Sequence, residues 1–181
     1  MLLPKDLETQ QLSTPVKCNK YVNQTLIASS SHARGGYVGI ISDAKGFVLE
    51  GTIATVAVLL KNGDFVFPPF TKIVMGTTAL KIGEFIEKEV LPNYASKYES
   101  ILGAGHVKQV VRREITVEEA IAHSKEVFFL GGDVLVPILE WDGHRICNYK
   151  GPLATLLQKF LVEEYTSTSQ NQQTTKIEFV S

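Results

Sequence analysis

The sequence predicts a single α/β domain of the α+β type, in which helices flank a mostly antiparallel sheet or barrel. Its 181 residues, 44% of them hydrophobic, are enough for one domain with a substantial core. Short apolar segments separated by turn sequences such as Lys61-Asn62-Gly63-Asp64 are typical of antiparallel strands. Longer segments with apolar residues every three or four positions predict helices around that sheet.

The first third of the chain is predicted to form one helix and several strands. Val22 and Leu26 lie four residues apart, which favours a helix over residues 20–31. Gly46 and Gly63 each belong to a turn between apolar segments, where glycine can supply a positive φ. The predicted strands are residues 37–42, 47–50, 55–60 and 65–67.

The middle of the chain contains the clearest helical pattern. Residues 68–69 are both proline and end the preceding sheet, because proline cannot donate to a strand ladder. An apolar β-branched residue then recurs every four positions from Ile82 to Val90, which predicts a helix over residues 79–90. The polar stretch 94–105 contains two glycines and is predicted to be a surface loop.

The last third alternates between strands and helices. Thr116 and Glu119 form a capping-box pattern, which predicts a helix beginning there and ending near residue 124. Apolar positions in residues 152–164 recur at helical spacing and predict a final amphipathic helix. The predicted strands are residues 107–115, 126–130 and 134–140.

The sequence divides into one domain and two polar ends. Residues 1–13 are polar and are predicted to be a connector or a truncated edge. Residues 14–165 are predicted to form the domain. Residues 166–181 are rich in Ser, Thr and Gln, a composition that is too polar to fold alone and predicts a disordered tail.

The overall composition excludes several classes of partner. A net charge of −1 gives no electrostatic reason to expect a nucleic acid or an anionic membrane. No apolar run reaches the roughly 18 to 20 residues of a membrane helix, and the first residues lack the apolar core of a signal peptide. Cys18 and Cys147 are too few for a disulfide framework. We therefore expect an intracellular, cytoplasmic protein, and the scattered histidines predict no metal site.

Two segments carry the functional signal. Residues 15–26 read PVKCNKYVNQTL, and residues 46–51 read GFVLEG. Together they resemble the fold-type IV pyridoxal-phosphate enzymes, also called class IV aminotransferases. This family includes branched-chain and D-amino-acid aminotransferases and the aminodeoxychorismate lyases. The resemblance implies the fold of that family's C-terminal large domain and pyridoxal 5′-phosphate as cofactor.

The resemblance assigns roles to a lysine and a glutamate that are unremarkable by themselves. Alone, Lys17 would most often be a solvated side chain and Glu50 an ordinary residue at a strand end. By resemblance, Lys17, and not Lys20, holds the cofactor as a Schiff base and is the catalytic residue. Glu50 faces the pyridine nitrogen, where its negative charge keeps that nitrogen protonated and strengthens the ring as an electron sink.

Two further segments resemble the family's phosphate contacts. Residues 75–78 read MGTT before the strong helix, where the simplest interpretation is a helix cap. Unpaired amides and hydroxyls at a helix N-terminus also suit a phosphate, and the resemblance assigns Thr77 and Thr78 to it. Residues 131–133 read GGD, which alone indicates a tight bend. By resemblance, Gly132 is a cofactor-binding residue.

The chain departs from the family pattern at two of these places. Thr55 stands where relatives often carry asparagine. In the GGD segment the hydroxyls of relatives are absent, and Asp133 would repel a phosphate unless it turns away.

The resemblance extends over about residues 16–164 and covers only the family's C-terminal domain. Relatives carry a small domain of roughly a hundred residues before their lysine, whereas only sixteen residues precede Lys17. The implied function is transfer of an amino group between an amino acid and a 2-oxo acid by a homodimer. This chain alone is expected to be incomplete as such an enzyme.

Two alternatives to an aminotransferase remain open. The first is a lyase of the aminodeoxychorismate type, which uses the same cofactor and is hardly separable from an aminotransferase by this sequence. The second is a non-catalytic remnant that serves as a binding or dimerisation module. The short N-terminal region, Thr55 and Asp133 favour the second alternative.

Overall fold

A computed structural model describes residues 22–132 and 134–166 of the chain. The predicted N-terminal connector, most of the predicted tail, Lys17 and Asp133 therefore lie outside the described residues. The α-helices are α1 (Val22–Ala33), α2 (Thr77–Phe85), α3 (Glu99–Leu102), α4 (Val117–His123) and α5 (Pro152–Thr166), and α2 continues as a π-helical turn, Ile86–Val90. The strands are β1 (Ile40–Ser42), β2 (Val48–Gly51), β3 (Thr55–Leu60), β4 (Asp64–Phe67), β5 (Gln109–Arg112), β6 (Ser124–Gly131), β7 (Val134–Ile138), β8 (Glu140–Trp141) and β9 (His144–Arg145).

The centre of the described structure is a five-stranded sheet with the order β5-β4-β3-β6-β7. Its neighbouring strands are antiparallel except for β4 and β5, which are parallel. β1 with β2 and β8 with β9 form separate two-stranded hairpins. These strands and their flanking helices confirm the predicted mostly antiparallel α+β fold. Within the described residues the sheet is open and does not close into a barrel.

Side chains that alternate along β3 supply two separate cores. Ala57 and Leu59 point to the face covered by α2 and α5, whereas Val56 and Val58 point to the opposite face. The opposite face is covered by the β1–β2 hairpin and α4. Every residue of β3 is buried, so this strand reads in the sequence as a continuous apolar run instead of an alternating one.

The prediction of a surface loop over residues 94–105 was wrong. The chain there forms a π-helical turn, Tyr94–Tyr98, followed by α3. Tyr98 and Leu102 are buried against the core around α2 and α5. The two residues lie four apart, which is helical spacing, but the surrounding polar residues and the two glycines concealed that spacing in the sequence.

The predicted capping box at the start of α4 forms on one side only. The Thr116 hydroxyl accepts a hydrogen bond from the Glu119 amide at 3.0 Å, as predicted. The carboxylate of Glu119, however, pairs with Arg113, with Nη2 to Oε1 at 2.5 Å. The ion pair with Arg113 occupies the carboxylate that would bond back to the Thr116 amide in a complete capping box.

A buried carboxylate attaches α5 to the sheet. Glu126 in β6 is only 3% exposed and accepts hydrogen bonds from the amides of Leu153 at 3.2 Å and Ala154 at 3.0 Å. His106 Nε2 lies 2.9 Å from Glu126 Oε1. The Glu126 carboxylate therefore satisfies amides in the first turn of α5, where the helix dipole is positive.

Replacing Glu126 with alanine should destabilise the protein strongly. The change leaves two helix amides and the His106 ring without their partner, and we expect a loss of about 2 kcal/mol or more in the free energy of unfolding. Urea denaturation measures this loss. Glu163→Ala is the matched control on α5, because its pair with Lys159, at 3.7 Å, is exposed. It should change the free energy by less than about 0.5 kcal/mol. Equal effects of the two changes would contradict the capping role.

Of the helices that the structure describes, none combines the length and the hydrophobicity that crossing a membrane requires.

Candidate functional site

One end of the central sheet collects the functional residues predicted from the sequence. β2 carries Glu50 and is followed by a tight turn, in which the Gly51 amide donates to the Ala54 carbonyl at 2.7 Å. β3 then starts at Thr55, which lies opposite Leu130 near the end of β6. A Cβ atom added to Gly131 would lie 3.1 Å from Ala54 Cβ, so the turn after β2 and the turn after β6 are in contact.

Glu50 is connected to the segment that leads into α2. Its half-buried carboxylate accepts a hydrogen bond from the Val74 amide, at 3.2 Å to Oε2. Burial raises the pKa of Glu50, and the Val74 amide opposes that shift by favouring the ionised form. Val74 lies three residues before Thr77, so this hydrogen bond brings the acid close to the helix N-terminus.

The N-terminus of α2 is a suitable place for an anion. Its N-cap residue, Gly76, has no side chain to accept a hydrogen bond from the first turn. The first amides of a helix have no partner within the helix, and the helix dipole makes this end positive. Thr77 is exposed, whereas Thr78 is 1% exposed. The two hydroxyls predicted for a phosphate thus begin the helix, one at the surface and one within the protein.

Gly132 lies in the turn between β6 and β7. It has a φ of +59°, a left-handed conformation that favours glycine. A Cβ atom added there would meet no heavy atom within 4 Å, so the space beside it is open. The predicted tight bend is present, and its backbone is accessible at the same end of the sheet as Glu50.

The candidate residues that the structure describes lie at one end of the sheet. Glu50 on β2, Thr77 and Thr78 at the start of α2, and Gly132 in the turn after β6 all lie at this one end of the sheet. Lys17 is outside the described residues, five positions before α1 begins at Val22, so its role stays a prediction.

Sequence reasoning missed two contacts of this site. One is the hydrogen bond from the Val74 amide to Glu50, which no side-chain pattern could reveal because the donor is backbone. The other joins Thr55 to Gly76: a Cβ atom added to Gly76 would lie 2.8 Å from Thr55 Oγ1. The sequence marks Thr55 only because relatives often have asparagine at this position. The fold shows that its hydroxyl lies beside Gly76.

Among the described ranges 22–132 and 134–166, no group of three or more His, Cys, Asp or Glu side chains is arranged to hold a metal ion.

Comparison with known proteins identifies the family. Residues 4–141 match the model of the class IV aminotransferase family. The chain therefore belongs to that family, as its lysine and glutamate segments implied. A search of curated proteins found no match.

Solved structures with the same fold are about twice as long as this chain. The branched-chain amino acid aminotransferase of Thermobaculum terrenum, in its pyridoxal-phosphate form, is 23% identical with a TM-score of 0.70, over 84% of this chain and 45% of that chain. The Escherichia coli branched-chain amino acid aminotransferase is 22% identical with a TM-score of 0.66, over 85% and 47%. A hypothetical aminotransferase from Mycobacterium tuberculosis, bound to pyridoxal phosphate, is 19% identical with a TM-score of 0.62, over 82% and 46%. At these identities the likeness establishes the fold, and this chain spans less than half of each relative.

The raised pKa of Glu50 predicts a pH-dependent effect of its replacement. Ionisation of Glu50 is less favourable in the folded than in the unfolded protein, so the free energy of unfolding should fall as the pH rises through the folded pKa. Glu50→Gln removes this penalty and keeps an oxygen for the Val74 amide. In the ligand-free protein it should therefore raise the free energy of unfolding at about pH 7 and have little effect below the ordinary glutamate pKa of about 4.3.

Thermal or urea unfolding at several pH values checks this expectation. Glu84→Gln is the matched control, because a hydrogen bond from Lys88 lowers the pKa of Glu84. Its replacement should cause no gain in stability at neutral pH. A loss of stability in Glu50→Gln at pH 7 would contradict the proposed burial penalty.

Proposed function

We propose that this chain is the cofactor-binding part of a pyridoxal-phosphate-dependent aminotransferase of the branched-chain or D-amino-acid type. Such an enzyme transfers an amino group between an amino acid and a 2-oxo acid. One observation carries the proposal: a half-buried carboxylate, Glu50, is hydrogen-bonded to the segment leading into a helix N-terminus that has no side-chain cap.

These two features match the charges of pyridoxal phosphate. The cofactor carries a basic ring nitrogen on one side and a phosphate on another. Glu50 suits the nitrogen, because its side chain accepts only the Val74 bond among the described residues. The N-terminus of α2 suits the phosphate, since its dipole and amides favour an anion. Gly132 leaves open space for a group to approach the backbone. The described residues therefore fit the cofactor.

The proposed roles of the residues follow from this fit. When bound, the cofactor supplies a ring that withdraws electrons from the substrate and eases removal of its α-proton. Glu50 holds a proton on the ring nitrogen, and Thr77 and Thr78 bind the phosphate. Lys17 holds the cofactor through its Nζ atom and then moves the proton at the substrate Cα, as base and afterwards as acid.

Because the chain spans less than half of each solved relative, complete activity is proposed to require a further small domain and a homodimer. The amino-acid and 2-oxo-acid substrates are proposed from the family alone. Cofactor binding is the part of the function for which this chain carries its own residues.

Replacing Lys17 should abolish covalent attachment of the cofactor. Wild-type protein titrated with pyridoxal phosphate should develop a visible absorption band, and borohydride should then fix the cofactor to the chain. Intact-mass spectrometry measures the added mass and peptide mapping locates it. Lys17→Ala should lose both the band and the added mass, because it lacks the attaching amine. Lys20→Ala, three residues away, is the matched control and should retain both.

Two results would contradict the proposal in different ways. A band that survives in Lys17→Ala would show that another amine holds the cofactor. A folded wild-type chain that never acquires a band would favour a non-catalytic binding or dimerisation module. If the cofactor binds, dependence of product formation on a 2-oxo acid distinguishes the aminotransferase from a lyase.

A further inference from the structure

A groove lies between α1 and the edge of the sheet formed by β7 and β8. It has a volume of about 330 Å³, with α1 and residues 34–40 on one wall and residues 136–142 on the other. Two apolar side chains of the second wall, Val136 and Leu139, are 37% and 41% exposed. Within the part of the chain that the structure describes, β7 pairs only with β6. The outer edge of β7 and the apolar side chains beside it are therefore uncovered by the described residues.

The two walls of the groove carry charges of opposite sign. Arg34 follows α1 on one wall, whereas Glu140 and Asp142 lie on the other, and all three side chains are exposed. Arg34 Nη1 lies 3.9 Å from Asp142 Oδ1, a long and solvated contact that contributes little to stability. An occupant that suits this groove has apolar side chains for its floor and one charge of each sign for its rims.

The end of the chain has this pattern of side chains. Residues 166–175 are all polar, and residues 176–180 then read KIEFV. In an extended conformation Ile177 and Phe179 share one face, because successive side chains point to opposite sides. Lys176 and Glu178 share the other face and supply one charge of each sign. We call residues 176–180 the C-terminal segment.

The polar residues before the C-terminal segment are long enough to bring it to the groove. Gln158 Nε2 donates to the Leu135 carbonyl at 2.9 Å, so α5 lies beside β7. From Gln158 to the end of α5 at Thr166 is about 12 Å, and from Leu135 to Leu139 along the sheet edge is about 13 Å. Ten extended residues span about 33 Å, which covers both distances and the passage around β7.

We propose that the C-terminal segment binds in this groove of its own chain as an extended strand. Ile177 and Phe179 lie on the apolar floor. Lys176 lies toward Glu140 and Asp142, and Glu178 lies toward Arg34. Burial of the two apolar side chains favours binding, and the polar linker keeps the segment at a high local concentration. The inference is independent of the cofactor.

Hydrogen–deuterium exchange of the full chain, measured by mass spectrometry of its peptides, tests the inference. Phe179→Ser removes an apolar anchor, so the amides of residues 136–142 should exchange about tenfold faster than in wild type. Val180→Ser is the matched control, because its side chain points away from the floor in the proposed conformation. It should exchange within about twofold of wild type. A synthetic peptide of residues 174–181, added at about 1 mM to Phe179→Ser, should restore slow exchange.

Reversal of one charge pair tests the orientation of the segment. Glu178→Arg places two positive charges together beside Arg34, so exchange at residues 136–142 should become about threefold faster. Arg34→Glu in the same chain restores opposite charges and should return the exchange to that of wild type. Failure of the second change to reverse the first would overturn the proposed orientation.

Four results would overturn binding of the segment in the groove. Equal exchange in wild type and Phe179→Ser would assign the groove to another occupant. An effect of Val180→Ser as large as that of Phe179→Ser would contradict the alternating conformation. Slow exchange that depends on protein concentration would assign the bound segment to a second copy of the chain. Faster exchange of the buried β3 amides in Phe179→Ser would show general unfolding instead of an uncovered groove.

Discussion

The pairing of β3 with β6 is the interaction on which the rest of the structure depends. The two strands are antiparallel and remain paired from Thr55 opposite Leu130 to Leu60 opposite Ser124, with one irregularity near the far end. This register brings the turn before β3 and the turn after β6 to the same end of the sheet. A slip by one residue would exchange the two cores and move Thr55 to the other face. Core packing and site assembly therefore rely on one set of backbone hydrogen bonds.

Polar groups are placed at the two ends of the sheet for different reasons. Glu126 is buried with its hydrogen bonds provided by α5 and His106, and this arrangement contributes to stability. At the opposite end, Glu50 is half-buried with one hydrogen bond from Val74. A carboxylate with few partners costs stability, and proteins commonly accept such a cost where a ligand is bound. The two acids therefore differ in their support: Glu126 has three partners in the fold, whereas Glu50 has one hydrogen bond from Val74.

Much of the fold could be predicted because the local signals agree with the tertiary structure. The strand predicted over residues 55–60 has the same bounds as β3, since β-branched residues favour strands and the Asn62-Gly63 turn ends it. The helix over residues 152–164 matches α5 within two residues. The segment 94–105 was misread because its few apolar residues are buried by contacts with α2 and α5, which are distant in sequence. Local composition does not reveal such contacts.

The sequence by itself indicated the family, most of the order of the strands and helices, and the identity of Glu50, Thr77 and Thr78 as candidates, because these depend on residue types and on their spacing along the chain. The tertiary structure decided which candidates meet. It joined Glu50 to α2 through the Val74 backbone amide and placed the Thr55 hydroxyl against Gly76. Contacts of this kind link residues more than twenty positions apart, and they exist only after the sheet has set the strand register. For that reason, the pattern along the chain identified the acid and the helix, while only the fold showed that a hydrogen bond joins Glu50 to the segment before α2.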